Sequence, residues 1–179
     1  MKWHLLLTLV TVFGCASLGA QQTTEGLGAA IEKVAVGATI VQAKDVDSIS
    51  CQPVGESPGL LRADFNGDGR DDYAVLLKTG DTGKERTWEG KTLRETRFAF
   101  AFFLDNGSGG YEPRVVRRYV DFIPTAVVLD LQPAGEVRHR ETHKNVRLKN
   151  PGVTLSFCEK SAATYFLHAN KIRSVPIAD

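Results

Sequence analysis

The sequence has few cysteines, no long apolar run and almost no net charge. Three cysteines in 179 residues are too few for a disulfide scaffold, so an apolar core must hold the fold. Lys and Arg number 22 against 21 Asp and Glu, which removes any general electrostatic reason to expect nucleic acid or an anionic membrane as a partner. No stretch approaches the roughly 20 apolar residues that a transmembrane helix needs.

Sequence signatures of common catalytic sites are also missing. No serine lies in a GxSxG motif, and Gly90-Lys91-Thr92 lacks the glycine five residues earlier that a phosphate-binding loop needs. No cysteine has an evident histidine partner along the chain. A secreted hydrolase, with a site assembled only in three dimensions, therefore stays as an alternative function.

The first twenty residues have the layout of a secretory signal peptide. Lys2 precedes an apolar run from Leu5 to Phe13, and small residues follow up to Ala20. We expect cleavage after Ala20, so that residues 1–20 are removed and 21–179 form a single β-rich domain. The mature chain would then be exported to the periplasm or the extracellular space.

A second interpretation of this segment predicts a lipid anchor in the envelope. The run Val12-Phe13-Gly14-Cys15 resembles the bacterial lipobox, whose cysteine is acylated and becomes the new N-terminus. Phe13 departs from the small or aliphatic residue usual at its place. In either case Cys51 and Cys158 reach an oxidising compartment, where we expect a disulfide between them rather than two buried thiols.

Hydrophobic periodicity indicates a mainly β (α+β) fold, a compact antiparallel sheet domain with one short N-terminal helix. The apolar spacing in Gly26–Val36 predicts that helix, with glycines 28 and 37 limiting its length. The stretch Thr79–Thr92 is polar without a period and is typical of a long exposed loop. Runs bounded by turn residues predict strands at Ala38–Val41, Tyr73–Leu77, Arg97–Leu104, Arg114–Val120, Ala126–Leu131, Asn145–Leu148, Val153–Phe157, Thr164–His168 and Lys171–Ile177.

One of these strands has the pattern of a strand buried inside a sheet. Within Arg97–Leu104, three phenylalanines alternate with two alanines and a fourth phenylalanine, so one face has rings and the other has mostly small groups. The turn residues of Asn106–Gly110 and of Asn170 with Lys171 predict hairpins between neighbouring antiparallel strands.

A short acidic segment is the strongest chemical signal in the sequence. Residues 64–72 read DFNGDGRDD and precede the apolar run YAVLL, with oxygen-bearing side chains at loop positions one, three, five and nine. Ca²⁺ takes about six to eight oxygen ligands, and alternating short carboxylates let one tight turn direct several oxygens to one point. Gly67 and Gly69 permit such a turn.

Two other interpretations of the acidic segment were weighed. An EF-hand is excluded, because position twelve is Val75 instead of a bidentate Glu and a β-type run follows instead of a helix. The other is a polar turn with solvated charges. In that case three carboxylates would repel one another, by roughly 1 to 4 kcal/mol per close pair.

The segment DFNGDGRDDYAVLL resembles the calcium loop and following strand of FG-GAP or VCBS-type repeats, over Leu61 to Leu77. The resemblance implies Ca²⁺ as the bound metal. Its ligands would be Asp64, Asn66, Asp68, the carbonyl of Arg70, and Asp72, with the Arg70 side chain pointing elsewhere. Asp71 would lie outside the cluster.

The repeat occurs once in this chain, whereas propellers of that family repeat it several times, so a full propeller is not expected. The whole chain is similar to small exported bacterial proteins that hold a single such loop in a β-rich domain. That family implies no activity, cofactor beyond calcium, or catalytic residue for this chain.

Two further clusters have weaker signals. His139 and His143 in HRETH could share a metal such as Zn²⁺ on one face of a strand or helix, but the polar surroundings favour a solvated loop. Basic residues between 114 and 149 could bind anionic polymers, and the simpler interpretation is that they keep exposed strand faces soluble.

The sequence as a whole predicts an exported calcium-binding domain with calcium in a structural role. We expect it to act as a cell-envelope or secreted binding module, whose partner is a protein or a glycan contacted through the polar residues Thr79–Thr92. The secreted hydrolase is the alternative.

Overall fold

The computed structural model describes residues 18–47, 51, 57–158 and 160–178, and it describes side chains from residue 26 onward. The signal-peptide and lipid-anchor predictions fall mainly on residues outside these ranges. Only Leu18 to Ala20 of that segment is described, as the start of a helix. Within the described residues, no helix is long and apolar enough to span a membrane.

The chain forms one α-helix, one 3₁₀ turn at Ala43–Asp45, and eleven strands in the described ranges. The elements are α1 (Leu18–Val34), β1 (Thr39–Ile40), β2 (Leu60–Ala63), β3 (Asp72–Trp88), β4 (Lys91–Asp105), β5 (Tyr111–Ile123), β6 (Val127–Gln132), β7 (Gly135–Arg138), β8 (Asn145–Leu148), β9 (Gly152–Phe157), β10 (Ser161–His168) and β11 (Lys171–Ala178).

The strands form three antiparallel sheets. The first has the order β1-β3-β4-β5, with β2 also paired to β3; the second has the order β11-β10-β9-β6; and the third is the hairpin β7-β8. The predicted mainly β fold with one short helix is confirmed. The predicted hairpins at Asn106–Gly110 and at Asn170 are confirmed as the connections β4–β5 and β10–β11.

The part of β4 from Phe98 to Leu104 is buried on both faces, which explains its unbroken apolar run. Phe98, Phe100 and Phe102 point into the larger core between the first and second sheets. Ala99 and Ala101 lie on the other face, in a smaller core together with helix α1. Their small side chains let the helix approach the sheet closely, so the alternation of rings and methyl groups sets the order of the layers.

The helix differs from its predicted bounds, because it covers Leu18–Val34 instead of Gly26–Val36. Gly28 lies within it and does not limit it. Leu27 and Ile31 are buried against the first sheet, and this packing outweighs the roughly 1 kcal/mol that a glycine costs inside a helix. The helix ends before Gly37, whose φ of 71° is left-handed.

The prediction of a long loop at Thr79–Thr92 is wrong. Strands β3 and β4 stay paired to Trp88 and Lys91, and a two-residue turn joins them. Glu89 and Gly90 have φ of 48° and 75°, the left-handed values that a tight hairpin turn requires. Register shifts along the two strands break the regular alternation, so the sequence pattern did not indicate strands.

Two short strands, β2 (LLRA) and β7 (GEVR), are absent from the sequence-based prediction. The predicted disulfide between Cys51 and Cys158 is present, with Cα atoms 5.5 Å apart. It joins the segment before β2 to the turn after β9, and so connects parts of the chain that lie 107 residues apart in sequence.

A partly buried ion pair joins the 3₁₀ turn to β3. The carboxylate of Asp45 accepts hydrogen bonds from Lys78 Nζ at 2.8 Å and from the Gln42 amide at 2.9 Å. Burial opposes ionisation of Asp45, but these two hydrogen bonds and the charge of Lys78 outweigh it and lower the pKa of Asp45.

We expect Asp45→Asn to lower the free energy of unfolding at pH 7 by about 1.5 to 3 kcal/mol, the range for a hydrogen bond to a charged group. Because the folded-state pKa is lowered, this stabilisation is present above the unfolded pKa of about 3.9 and is lost as the pH falls through the folded pKa. Urea unfolding from pH 7 to pH 2.5 should show the two proteins converging at low pH. The exposed Glu112→Gln serves as the control, and a gap that stays constant with pH would contradict this assignment.

Candidate metal centre

The acidic segment forms the connection between β2 and β3. The two strands pair with Ala63 opposite Asp72, so residues 64–71 form a closed loop at the end of a hairpin. Gly67 and Gly69 have φ of 81° and 84°, a left-handed conformation that glycine adopts without strain. The loop therefore has the tight turn that its glycines predict.

The carboxylate of Asp64 organises this turn from inside. Its Oδ1 accepts hydrogen bonds from the amides of Gly67 at 2.6 Å and Asp68 at 3.1 Å, and its Oδ2 accepts one from Gly69 at 2.9 Å. Three successive backbone N–H groups thus point at one side chain. This arrangement fixes the backbone at the place where the next oxygen-bearing residues lie.

Asn66 and Asp68 contact each other across the same turn. The Asp68 amide donates to Asn66 Oδ1 at 2.8 Å, and Asn66 Nδ2 donates to Asp68 Oδ2 at 3.0 Å. The amide of Arg70 donates to Asp68 Oδ1 at 2.9 Å. This backbone hydrogen bond, together with the one from Asn66 and the charge of Arg70, lowers the pKa of Asp68 although partial desolvation opposes it.

The side chain of Arg70 does not point away from the loop, which corrects the sequence-based expectation. Its Nη2 lies 2.6 Å from Asp68 Oδ2, and its Nε donates to Asp105 Oδ1 at 2.9 Å. The guanidinium therefore lies between the loop and the end of β4. It partly balances the negative charge of the loop, which is the electrostatic effect expected of any nearby cation.

Asp72 has a role that the ligand spacing does not predict. Its side chain is fully buried. Its Oδ2 accepts hydrogen bonds from the amides of Phe65 at 3.0 Å and Asn66 at 3.2 Å, and its Oδ1 accepts one from Asp105 at 2.8 Å. Burial raises the pKa of Asp72 and the three amides oppose the rise. The carboxylate acts as a clamp that joins the loop, the start of β3 and the end of β4.

Asp71 lies outside the cluster, where its carboxylate forms an exposed ion pair with Arg62 across β2 and β3. It therefore offers a matched control for its neighbours, since it has the same charge in the same loop without their contacts.

The donor atoms of the loop are of the kind that Ca²⁺ prefers. Asp64, Asn66 and Asp68 place carboxylate and amide oxygens on one turn, and these are hard oxygen ligands. Within the described ranges, however, no three His, Cys, Asp or Glu side chains are grouped as a metal site. The chemistry of the set fits calcium, while its carboxylates are presently hydrogen-bonded to backbone amides and to Arg70.

Two residues that contribute to the loop come from distant parts of the chain, Asn150 from the turn after β8 and Asp105 from the end of β4. A Cβ added at Gly67 would lie 2.6 Å from Nδ2 of Asn150, whose side chain lies beneath the turn and 3.5 Å from the Phe65 carbonyl oxygen. Asp105 contacts both Arg70 and Asp72. Neither has a spacing signal that links it to the loop, because β4 and the turn after β8 meet the loop only in the folded chain.

The histidine pair lies in the turn between β7 and β8. The His143 amide donates to the His139 carbonyl oxygen at 2.9 Å, and the Thr142 amide lies 3.3 Å from His139 Nδ1. These are turn contacts, as expected of a solvated loop.

No protein-family model, curated protein or solved structure matches this chain.

We expect Asp72→Asn to lower the free energy of unfolding by about 1 to 3 kcal/mol, the cost of leaving buried hydrogen-bonding groups unsatisfied. Asn keeps one acceptor oxygen, but its amide would place a donor against a backbone N–H. Urea unfolding measures the change. Asp71→Asn removes an equal charge from the adjacent exposed position and should cost much less; equal losses in the two variants would contradict the clamp.

Proposed function

We propose that this protein is an exported, calcium-binding β-rich domain that serves as a binding module in the cell envelope or outside the cell. Calcium has a structural role in this proposal. One observation carries it: the carboxylate of Asp64 collects three successive amides and so holds Asn66 and Asp68 on a single turn.

Bound calcium would be held by the oxygens of Asp64, Asn66 and Asp68, with the Arg70 carbonyl and Asp72 as the remaining predicted ligands. It would neutralise carboxylates that otherwise depend on Arg70 for positive charge. The loop connects to β4 through Asp105, so ordering of the loop would also stabilise the central strand. This connection supports a structural role for the metal.

Export is supported by two independent features. The N-terminal twenty residues have the signal-peptide pattern, and the Cys51–Cys158 bond is of a kind that persists in oxidising compartments and is rare in the cytosol. A lipid anchor at Cys15 is the variant of this proposal in which the same domain stays attached to the envelope.

Thermal melts of the purified protein in 5 mM CaCl₂ and in EDTA test the metal. Extracellular calcium modules bind at about 10⁻⁴ to 10⁻³ M, and calcium at ten times the dissociation constant adds about 1.4 kcal/mol. For a chain of this size we expect the melting temperature to rise by about 3 to 6 °C.

Asp68→Ala should abolish the calcium-dependent rise, because it removes a predicted ligand from the turn. Asp71→Ala also removes a carboxylate from the loop, but from a residue that lies outside the cluster, so the calcium-dependent rise should remain. No rise in the wild type, or an equal rise in both variants, would contradict calcium binding at this loop.

A further inference from the structure

Two adjoining cavities lie beside the loop and share two basic residues. Their volumes are about 600 Å³ and about 410 Å³, and both include Lys149 and His168 in their walls. Both are open to solvent, and their volumes are large enough to admit a small anion. The first is lined further by Ala134, Gly135, Arg147 and Leu148, and the second by Asn66, Asn150, Leu167, Ala169 and Asn170.

We infer that this groove binds the phosphate or sulfate group of a small soluble ligand. We call it the 147/149/168 groove. The inference goes beyond the calcium proposal and does not depend on it, because the cationic side chains are present whether or not the loop holds a metal.

The charge of the lining is of one sign. The ionisable side chains in the two walls are Arg147, Lys149 and His168, and the polar ones are the amides of Asn66, Asn150 and Asn170. No carboxylate belongs to the lining of either cavity in the described chain. Guanidinium, ammonium and amide groups are the donors that oxyanions accept from, and arginine can bind a phosphate with two parallel hydrogen bonds.

The three ionisable side chains of the lining are available to a ligand. Within the described residues, no hydrogen bond or ion pair engages the side chain of Arg147, Lys149 or His168. The acidic residue opposite Arg147 in the β7–β8 ladder is Glu136, and its carboxylate accepts a hydrogen bond from Asn145 Nδ2 at 2.8 Å. By contrast, Arg70, Lys78 and Arg94 all have carboxylate partners.

Both walls are held in place by the fold. Arg147 lies in β8 and Lys149 follows directly after it, and both are exposed on either side of the buried Leu148. On the other wall, Ala169 and Asn170 form a tight turn with φ of 47° and 60°, and Arg114 donates to the Asn170 carbonyl oxygen at 2.8 Å. The backbone that carries these donors is therefore fixed by the fold, and a bound anion would order only the exposed side chains themselves.

Calorimetric titration with inorganic pyrophosphate in EDTA and 50 mM NaCl tests the groove. We expect saturable binding to the wild type and at least a tenfold weaker affinity for the double variant Arg147→Gln/Lys149→Gln. Both residues are exposed, and an unchanged melting temperature verifies that the variant is folded. The absence of calcium from this buffer keeps the result separate from the metal proposal.

The matched control is Lys91→Gln/Arg94→Gln, which also removes two positive charges, but from the β3–β4 hairpin. It should change the affinity less than twofold. The inference is overturned if pyrophosphate shows no saturable binding up to 10 mM, or if the control loses as much affinity as the groove variant. It is also overturned if vesicles containing phosphatidylglycerol bind the wild type while pyrophosphate does not, since the ligand would then be a membrane surface.

Discussion

The local structure around the loop depends on the hydrogen bonds that the buried carboxylate of Asp72 accepts. Asp72 is the first residue of β3. Its two oxygens accept hydrogen bonds from backbone amides at the start of the loop and from the amide of the last residue of β4. A buried carboxylate is tolerated only when it is well hydrogen-bonded. Its position therefore fixes where the loop leaves β2 and how β3 and β4 come together, and the turn around Asp64 is built on that base.

The other residues of the loop are arranged around the Asp72 carboxylate. Asp64 orders the turn, Asn66 and Asp68 present their oxygens on it, and Arg70 spans from Asp68 to Asp105. The loop thus has its own internal cation. A calcium ion at this turn would compete with a guanidinium that is already in place.

The same edge of the molecule carries charge of both signs. Asn66 takes part in the hydrogen bonds of the acidic turn and also lines the 147/149/168 groove. Asn150 lies beneath Gly67 and lines the same cavity. The two features share residues, so neutralisation of the loop would reduce the negative potential that an anion meets on entering the groove.

The sequence predicts those parts of the molecule whose pattern is local. The alternation of rings and methyl groups from Phe98 to Phe103 identified the central strand, and the spacing of Asp64, Asn66 and Asp68 identified the turn. The helix that continues through Gly28 and the paired strands over Thr79–Thr92 were not predicted from the sequence. Packing against the first sheet stabilises the helix, and a two-residue turn allows the two strands to pair. The contacts of Asn150 and Asp105 depend on strands far apart in sequence, and no local pattern encodes them.

We propose that the turn at residues 64–70 binds calcium. Titration of CaCl₂ into the ¹⁵N-labelled protein, followed by amide NMR spectra, tests this residue by residue. We expect saturable 1:1 shifts centred on the amides of Gly67, Asp68 and Gly69, with a midpoint at about 10⁻⁴ to 10⁻³ M. Amide resonances of the loop that stay unmoved at 10 mM calcium, or shifts confined to other parts of the chain, would contradict it.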